Sequence, residues 1–471
     1  MKQFEFITRY DNFESRRQGR TRYQVLSRQK DVKKILINGA ALIITVDEND
    51  KLKVLKNKSL LIVNGVISEI FNFNGKKIKG VDLVYNAYER EGMVVTPGFI
   101  NGHAHPPMYL LRSSMSLDKG SMAEQLAKMA QFEKNMNFED FVIGAIGDFT
   151  EEQKNGITTT FSHYSIFNAV EEAARITHHN VINAISAVSN SHPENNVAMA
   201  EKILKNSKKY YTIPAIAIHY IHKASPQQLM QIKGLIKKYK VLFTMHAAET
   251  EGFVAECVKK YGNRTAFALD KLGLLNSNVV LSHSVHFTDE EIKLVKKRKA
   301  GIIHLPTSNK IHKSGEFKYP KFYTEGAVNQ IALGTDSVIS KNSLDLLSEA
   351  LQTRIMHHDK KIVFYEDLFK MLTSNAARIL KLGKVGKILP GHRADLSIWK
   401  LNDRGFIPYN EKKPLSLVGN MITHGGSFIR DLMINGEFVI SNRAHNFINE
   451  TALLNQLQNS HMELRRRMGK S

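Results

Sequence analysis

The chain has 471 residues, 42% of them hydrophobic and 24% charged, with 66 Lys and Arg against 45 Asp and Glu for a formal net charge of +21. This is the composition of a globular protein with one large core and room for a smaller one, since single cores seldom grow past about 250–300 residues. No run reaches the ~18 apolar residues of a membrane helix, and the start MKQFEFITRY lacks the apolar centre of a signal peptide, so a cytoplasmic protein is expected.

The single Cys257 excludes an internal disulfide, a thiolate-rich zinc site and the deaminase signature in which a Pro-Cys-x-x-Cys segment binds zinc. The positive excess raises the question of nucleic acid or other anionic partners. Much of it is spread over helical surfaces such as IKGLIKKYK and IKLVKKRK or sits in the end segments, and no zinc-finger or RNP-like motif accompanies it. A solvated surface is the expectation, without a nucleic-acid partner.

In chain order, residues 1–33 are polar, basic and weakly patterned and read as an N-terminal extension. From Lys34 come short β-branched runs, ILINGAALIITV, SLLIVNGVISEIF and VDLVYNAY, broken by Asn-Gly turns that signal hairpins. The same style returns near the other end in ADLSIWKL and GSFIRDLMINGEFVI. The two flanks, 34–93 and 382–445, are expected to pair into one small composite β-sandwich domain, with 446–471 as a basic C-terminal tail.

Between them, 94–381 alternates differently. MVVTPGFI, GITTTFSH, VINAISAV, IPAIAIHY, VLFTMHAAE, VVLSHSV, AGIIHLP and QIALGTD read as strands, most followed by a helix-period segment. Strand then helix, eight times over, predicts an α/β fold: a (β/α)8 TIM-like barrel beside the second, smaller domain. Thr288 and Glu291 form a capping box that marks one helix start.

Chemistry in such a barrel gathers at the carboxyl ends of the strands. The first of these runs ends in HAH, where His103 and His105 stand two residues apart and share a strand face. Alone, that pair fits a metal site and a pair of hydrogen-bonded loop histidines equally well. The other ends add His163, His219, His246 with Glu249, His283, His304 and Asp336. Buried imidazoles and carboxylates are costly unless paired or metal-bound, so core packing does not explain the constellation.

The stretches VTPGFINGHAHPPM, HAAET, LSHSVHFTDEE, HLPTSN, GTDS and SNAARILKLGKVGKILPGHRADLSIW occur in the order found in the amidohydrolase superfamily. Over about residues 34 to 440 the chain resembles that superfamily, and within it the aminohydrolase branch that includes guanine deaminase, S-adenosylhomocysteine/methylthioadenosine deaminase and triazine hydrolases. The resemblance implies that His103, His105, His246 and Asp336 bind one divalent metal ion, with Asp336 also a proton acceptor. Three imidazoles and a carboxylate leave an open position for water; zinc suits them, and iron and manganese fit them too. It also implies that His283 orients the nucleophile and that Glu249 carries a proton to a substrate ring nitrogen. Glu249 reads alternatively as a charge at a helix N-terminus.

Two-metal relatives carry a modified lysine at the end of the fourth strand, where this chain has His219, so a mononuclear centre is expected. His219 is a substrate-binding candidate or a loop histidine capping a neighbour. His163, His304 and Asn309 join it as substrate-binding candidates, and so does Arg112, which reads equally as an ion-pair partner. LLRSSMSLDKGSM departs from the branch pattern, which has a tryptophan after the first metal motif. Substrate identity is therefore left open.

The expected activity is metal-dependent deamination of an amino-substituted nitrogen heterocycle, whether purine, pyrimidine, nucleoside or triazine. One alternative keeps the fold but hydrolyses a cyclic amide, amidine or carbon–halogen bond; another is an inactive binding protein using the basic ends. The resemblance also implies a homodimer.

Overall fold

The run MVVTPGFI, which reads as one strand, belongs to two sheets. Met93–Pro97 lies in a mixed sheet, and after Gly98 the chain enters a parallel barrel as Phe99–Ala104. A Cβ on Gly98 would overlap the side chain of Thr158, so only glycine lets the chain cross here. The computed structural model describes residues 23–25 and 33–469, apart from 76–77, 89–91, 113, 115–121, 190–191, 342, 411, 414 and 425–428.

The barrel strands are β1 (Phe99–Ala104), β2 (Ile157–Tyr164), β3 (Asn180–Ser186), β4 (Ile213–Tyr220), β5 (Phe243–Ala247), β6 (Val279–His283), β7 (Gly301–His304) and β8 (Ile331–Leu333). They are hydrogen-bonded in series from β1 to β8. At the closing seam a single parallel bridge joins Ala104 to Asp336, and the Asp336 amide donates to the His103 carbonyl at 3.0 Å. Almost every barrel-strand residue is buried, as expected of parallel strands covered by helices outside and filled by side chains inside. The helix Asp289–Arg298 starts with the reciprocal Thr288–Glu291 cap expected from sequence.

The second domain is a ten-stranded mixed sheet drawn from both flanks. Its centre pairs Met93–Pro97 antiparallel with Leu396–Lys400, residues about 300 positions apart. The sheet encloses its own core, including Ile37, Ile43, Leu60, Tyr85, Val95 and Ile398. Of the N-terminal extension, Tyr23–Val25 pairs with Leu83–Asn86; the remainder, 1–22 and 26–32, lies outside the described residues.

The C-terminal stretch differs from the basic tail read in the sequence. Glu450–Arg467 is a helix that buries Leu453, Leu457 and Leu464 and packs on the helix Phe138–Lys154. His461 Nδ1 donates to the Leu110 carbonyl at 2.9 Å, and Arg467 pairs with Asp140. Leu453, Leu457 and Leu464 share one stripe, which the polar residues between them and the run Arg465, Arg466, Arg467 obscure in the sequence. Leu457→Ala should lower unfolding free energy by roughly 2–4 kcal/mol. Chemical denaturation measures this, and an unchanged midpoint would mean that the helix is not part of the cooperative unit.

Candidate active site

His103 lies in β1, His105 one residue beyond it, His246 in β5, and Asp336 just past β8. His103 Nε2 is 3.1 Å from His105 Nε2 and 3.2 Å from His246 Nε2, and Asp336 Oδ1 is 3.3 Å from His105 Nε2. Their other ring nitrogens are engaged elsewhere. His105 Nδ1 donates to the His163 carbonyl at 2.6 Å, His246 Nδ1 to the His219 carbonyl at 3.1 Å, and His103 Nδ1 meets Ser282 Oγ at 2.9 Å.

A neutral imidazole that donates through Nδ1 presents a bare lone pair at Nε2. Three such lone pairs converge here with a carboxylate oxygen, so the donor set fits a divalent cation. Burial first, and then the neighbouring histidines, push His103 and His246 well below the ordinary imidazole range. Burial alone would raise Asp336, yet its hydrogen bond and charge interaction with His105 hold the carboxyl well below the usual range. Asp336 Oδ2 also accepts from Ser308 Oγ at 2.5 Å.

Glu249 is buried beside this centre. It accepts from the Tyr220 hydroxyl at 2.6 Å, and its Oε1 is 3.9 Å from His283 Nδ1. The following helix, Glu251–Tyr261, is capped by Thr250 and has Glu251 in its first turn, so the helix-terminal charge is Glu251 rather than Glu249. His283 Nδ1 donates to Asn309 Oδ1 at 2.8 Å, which leaves Nε2 for the cavity side. Ala248 (φ 45°), His283 (φ 64°), Ser284 (φ 54°) and Asp336 (φ 61°) all sit in the left-handed region that residues with a Cβ avoid.

These groups open onto a cavity of ≈ 520 Å³, within the range of small-molecule sites. Met108, Met129, Val188, Phe253 and Ile339 form apolar walls; Glu133, His163, Tyr164, His219, Lys223 and His312 add polar groups. His163 stacks on His246 with ring centroids 4.7 Å apart. Burial holds His219 neutral down to about 3, with smaller help from His105 and Lys223.

Three of the substrate-binding candidates do not line this cavity. Arg112 is paired with Glu151 at 2.5 Å and hydrogen-bonded to the Tyr109 hydroxyl, so its charge is already matched. His304 is fully buried and stacks on Phe317 at 4.2 Å. Asn309 stands behind His283 and orients it rather than facing the cavity.

Conversely, Tyr220, Glu133, Ser282 and Ser308 escaped the sequence reading. Strict alternation sends Tyr220 and His219 to opposite faces, but the β4–β5 register shifts between Ala217 and Tyr220, and both line the cavity. Glu133 sits on the helix Met122–Asn135 outside the strand ends, and its carboxylate accepts from the Tyr164 hydroxyl; no spacing rule points to it.

A sequence model of the amidohydrolase family matches residues 94–439. The chain is 30% identical over 412 residues to the 5-methylthioadenosine/S-adenosylhomocysteine deaminase of Pyrococcus furiosus, covering 84% of this chain and 94% of that protein. Its fold matches a zinc-bound adenosine deaminase from Xanthomonas campestris with TM-score 0.81 and 21% identity, covering 92% of this chain and 98% of the other. It also matches the zinc complex of atrazine chlorohydrolase from Arthrobacter aurescens, with TM-score 0.80 and 18% identity, covering 91% of this chain and all of that one (100%).

Two outcomes follow from this geometry. His105→Ala removes a donor that touches both His103 and Asp336, and tight metal binding should be lost in a competition assay with a chelator; wild-type affinity would show that His105 is not a ligand. Histidine in an unfolded chain takes up its proton near pH 6.5. Folded His219 does so only at about 3, and His357, buried beyond β7, only at about 4. The unfolded state therefore binds more protons between these values, so stability is complete above pH 6.5 and falls as the pH drops toward 4. Denaturation midpoints of metal-free protein at pH 7.5 and pH 5 should show the fall, and equal midpoints would refute it.

Proposed function

Because the chain belongs to the amidohydrolase family, we propose that it is a zinc-dependent deaminase that replaces the exocyclic amino group of an adenine-type nucleoside with oxygen and releases ammonia. The observation that carries this reading is Glu249, a buried carboxyl opening on the cavity beside His283 and the converging side chains of His103, His105, His246 and Asp336. The likeness to deaminases supports it. Zinc is chosen because three imidazoles and a carboxylate suit it and because two structural relatives hold it.

A divalent cation in this donor set lowers the pKa of water and so supplies a nucleophile near neutral pH. The chain's own residues do the remainder. Glu249 delivers a proton to the ring nitrogen next to the amino-bearing carbon, making that carbon electrophilic; the Tyr220 hydroxyl, bonded to Oε2, keeps Oε1 turned toward the cavity. Asn309 fixes the His283 ring so that Nε2 meets the oxygen entering the substrate. Asp336 takes the proton of the attacking water and passes it to the departing amine, and the hydroxyl proton left on the carbon returns to Glu249 as the carbonyl forms. Phe253, Met108 and Met129 provide apolar surface for a flat base, while Glu133 and His219 offer acceptors for sugar hydroxyls.

The test is ammonia release by metal-quantified protein from adenosine, 5′-deoxyadenosine, 5′-methylthioadenosine, guanine and a triazine. Adenine nucleosides should be the substrates. Glu249→Gln should keep its metal while kcat falls by about 10²–10⁴. Full activity in that variant would refute the proton path, and loaded protein that releases no ammonia from any compound would reassign the centre to another hydrolysis.

A further inference from the structure

Two of the four converging side chains come from opposite ends of the barrel. His103 is on β1 and Asp336 follows β8, and these strands, unlike all their neighbours, share no ladder beyond the single Ala104–Asp336 bridge. Ladder hydrogen bonds hold β5 against β4 and β6, so His246 has a fixed frame. At the seam, something else has to set the spacing.

Asn101, fully buried on β1, spans the gap. Its Oδ1 accepts the His103 amide at 3.3 Å and the Thr335 amide at 3.0 Å, so one oxygen ties down the backbone at one of the four residues and beside another. Its Nδ2 donates to Thr335 Oγ1 at 2.7 Å and to Glu152 Oε1 at 2.5 Å. Glu152, on the helix Phe138–Lys154, is also fully buried. Its Oε2 accepts from the Thr160 hydroxyl and lies 3.2 Å from His179 Nε2. Gln153 Nε2 lies 3.4 Å from His179 Nδ1, so the ring accepts there and donates through Nε2 to the Thr160 hydroxyl oxygen at 2.9 Å, whose own proton goes to Glu152. Glu152 thus accepts from Thr160 through one oxygen and from Asn101 through the other, and from Asn101 in one orientation only. A flipped Asn101 would set its carbonyl oxygen against this carboxylate.

We infer that Asn101 and Glu152 form a clamp across the β8–β1 seam that positions His103 and Asp336 for metal binding. Neither touches substrate or metal; both act through the side chains they hold. The inference rests on the reading of those side chains as a metal centre, but not on the reaction the centre performs.

The test exchanges donor and acceptor. In N101D a carboxylate oxygen replaces Nδ2 and faces Glu152, and zinc affinity, measured against a chromophoric chelator, should fall by about 10–100-fold. In E152Q the acceptor for Asn101 or for its other partners is lost, with a fall in the same direction. In the double variant N101D/E152Q the amide introduced on the helix donates to the carboxylate introduced on β1, while its oxygen still accepts from Thr160, and zinc affinity should return to within a few-fold of the parent. A merely structural pair would change the thermal midpoint of the metal-free protein and leave zinc affinity alone. That result, or a double variant no better than N101D, would overturn the clamp. If N101D does not fold, the comparison of E152Q with the double variant decides in the same way. Zinc affinity is read without any substrate, so a failed clamp and a failed deaminase assignment remain distinct outcomes.

Discussion

Neutral imidazole nitrogens repel when their lone pairs face each other, and here Nε2 of His103 stands 3.1 Å from that of His105 and 3.2 Å from that of His246. A cation turns that repulsion into coordination. Much of the surrounding structure serves to keep the lone pairs aimed inward. Backbone carbonyls of His163 and His219 hold the opposite ring nitrogens of His105 and His246, and Ser282 meets that of His103. These partners sit on β2, β4 and β6, so the barrel supplies both the converging histidines and the groups that fix their tautomers.

The same convergence explains the unusual backbone. Ala248, His283, Ser284 and Asp336 all have positive φ, at a cost of roughly 1–2 kcal/mol for each residue with a Cβ. They occur where strands must stop abruptly and turn a side chain over the barrel mouth. Surrounding contacts keep the strained geometry in place: the Ser284 and His286 amides donate to the Ala247 and Ala248 carbonyls at 2.8 and 2.9 Å, and Asp336 is tied to His103. The site is rigid because neighbours over-determine it, although its local conformation is unfavourable.

Much of this was legible in the sequence. Period and turn chemistry are local properties, so the eight barrel strands, the paired flanks and the capping box could be read from residue order. The converging histidines and Asp336 could be read as well, because a histidine or aspartate at a strand end is both visible and chemically costly to bury. Which way a side chain turns is not a local property. His304 ends β7 as His246 lies near the end of β5, yet it turns to Phe317, brought near by the fold. Arg112 follows the HAH motif but meets Glu151 from another helix. Tyr220 enters the cavity through a register shift that alternation cannot foresee. The C-terminal helix hid its leucines among arginines, and only the docked partner shows which face is inward.

The pairing of Met93–Pro97 with Leu396–Lys400 has a bearing on the order of assembly during synthesis. The strand carrying His103 continues directly from Met93–Pro97, so its entry into the barrel is anchored by a partner translated roughly 300 residues later. Until that partner leaves the ribosome, Met93–Pro97 exposes one apolar edge, and the N-terminal strands wait on an unfinished sheet. A chain that folds mostly as it emerges would still complete the anchor of its His103 strand only after all eight barrel strands had been made. The nascent protein thus passes through a long interval in which an apolar strand edge is open to wrong partners, and chaperone demand should concentrate there.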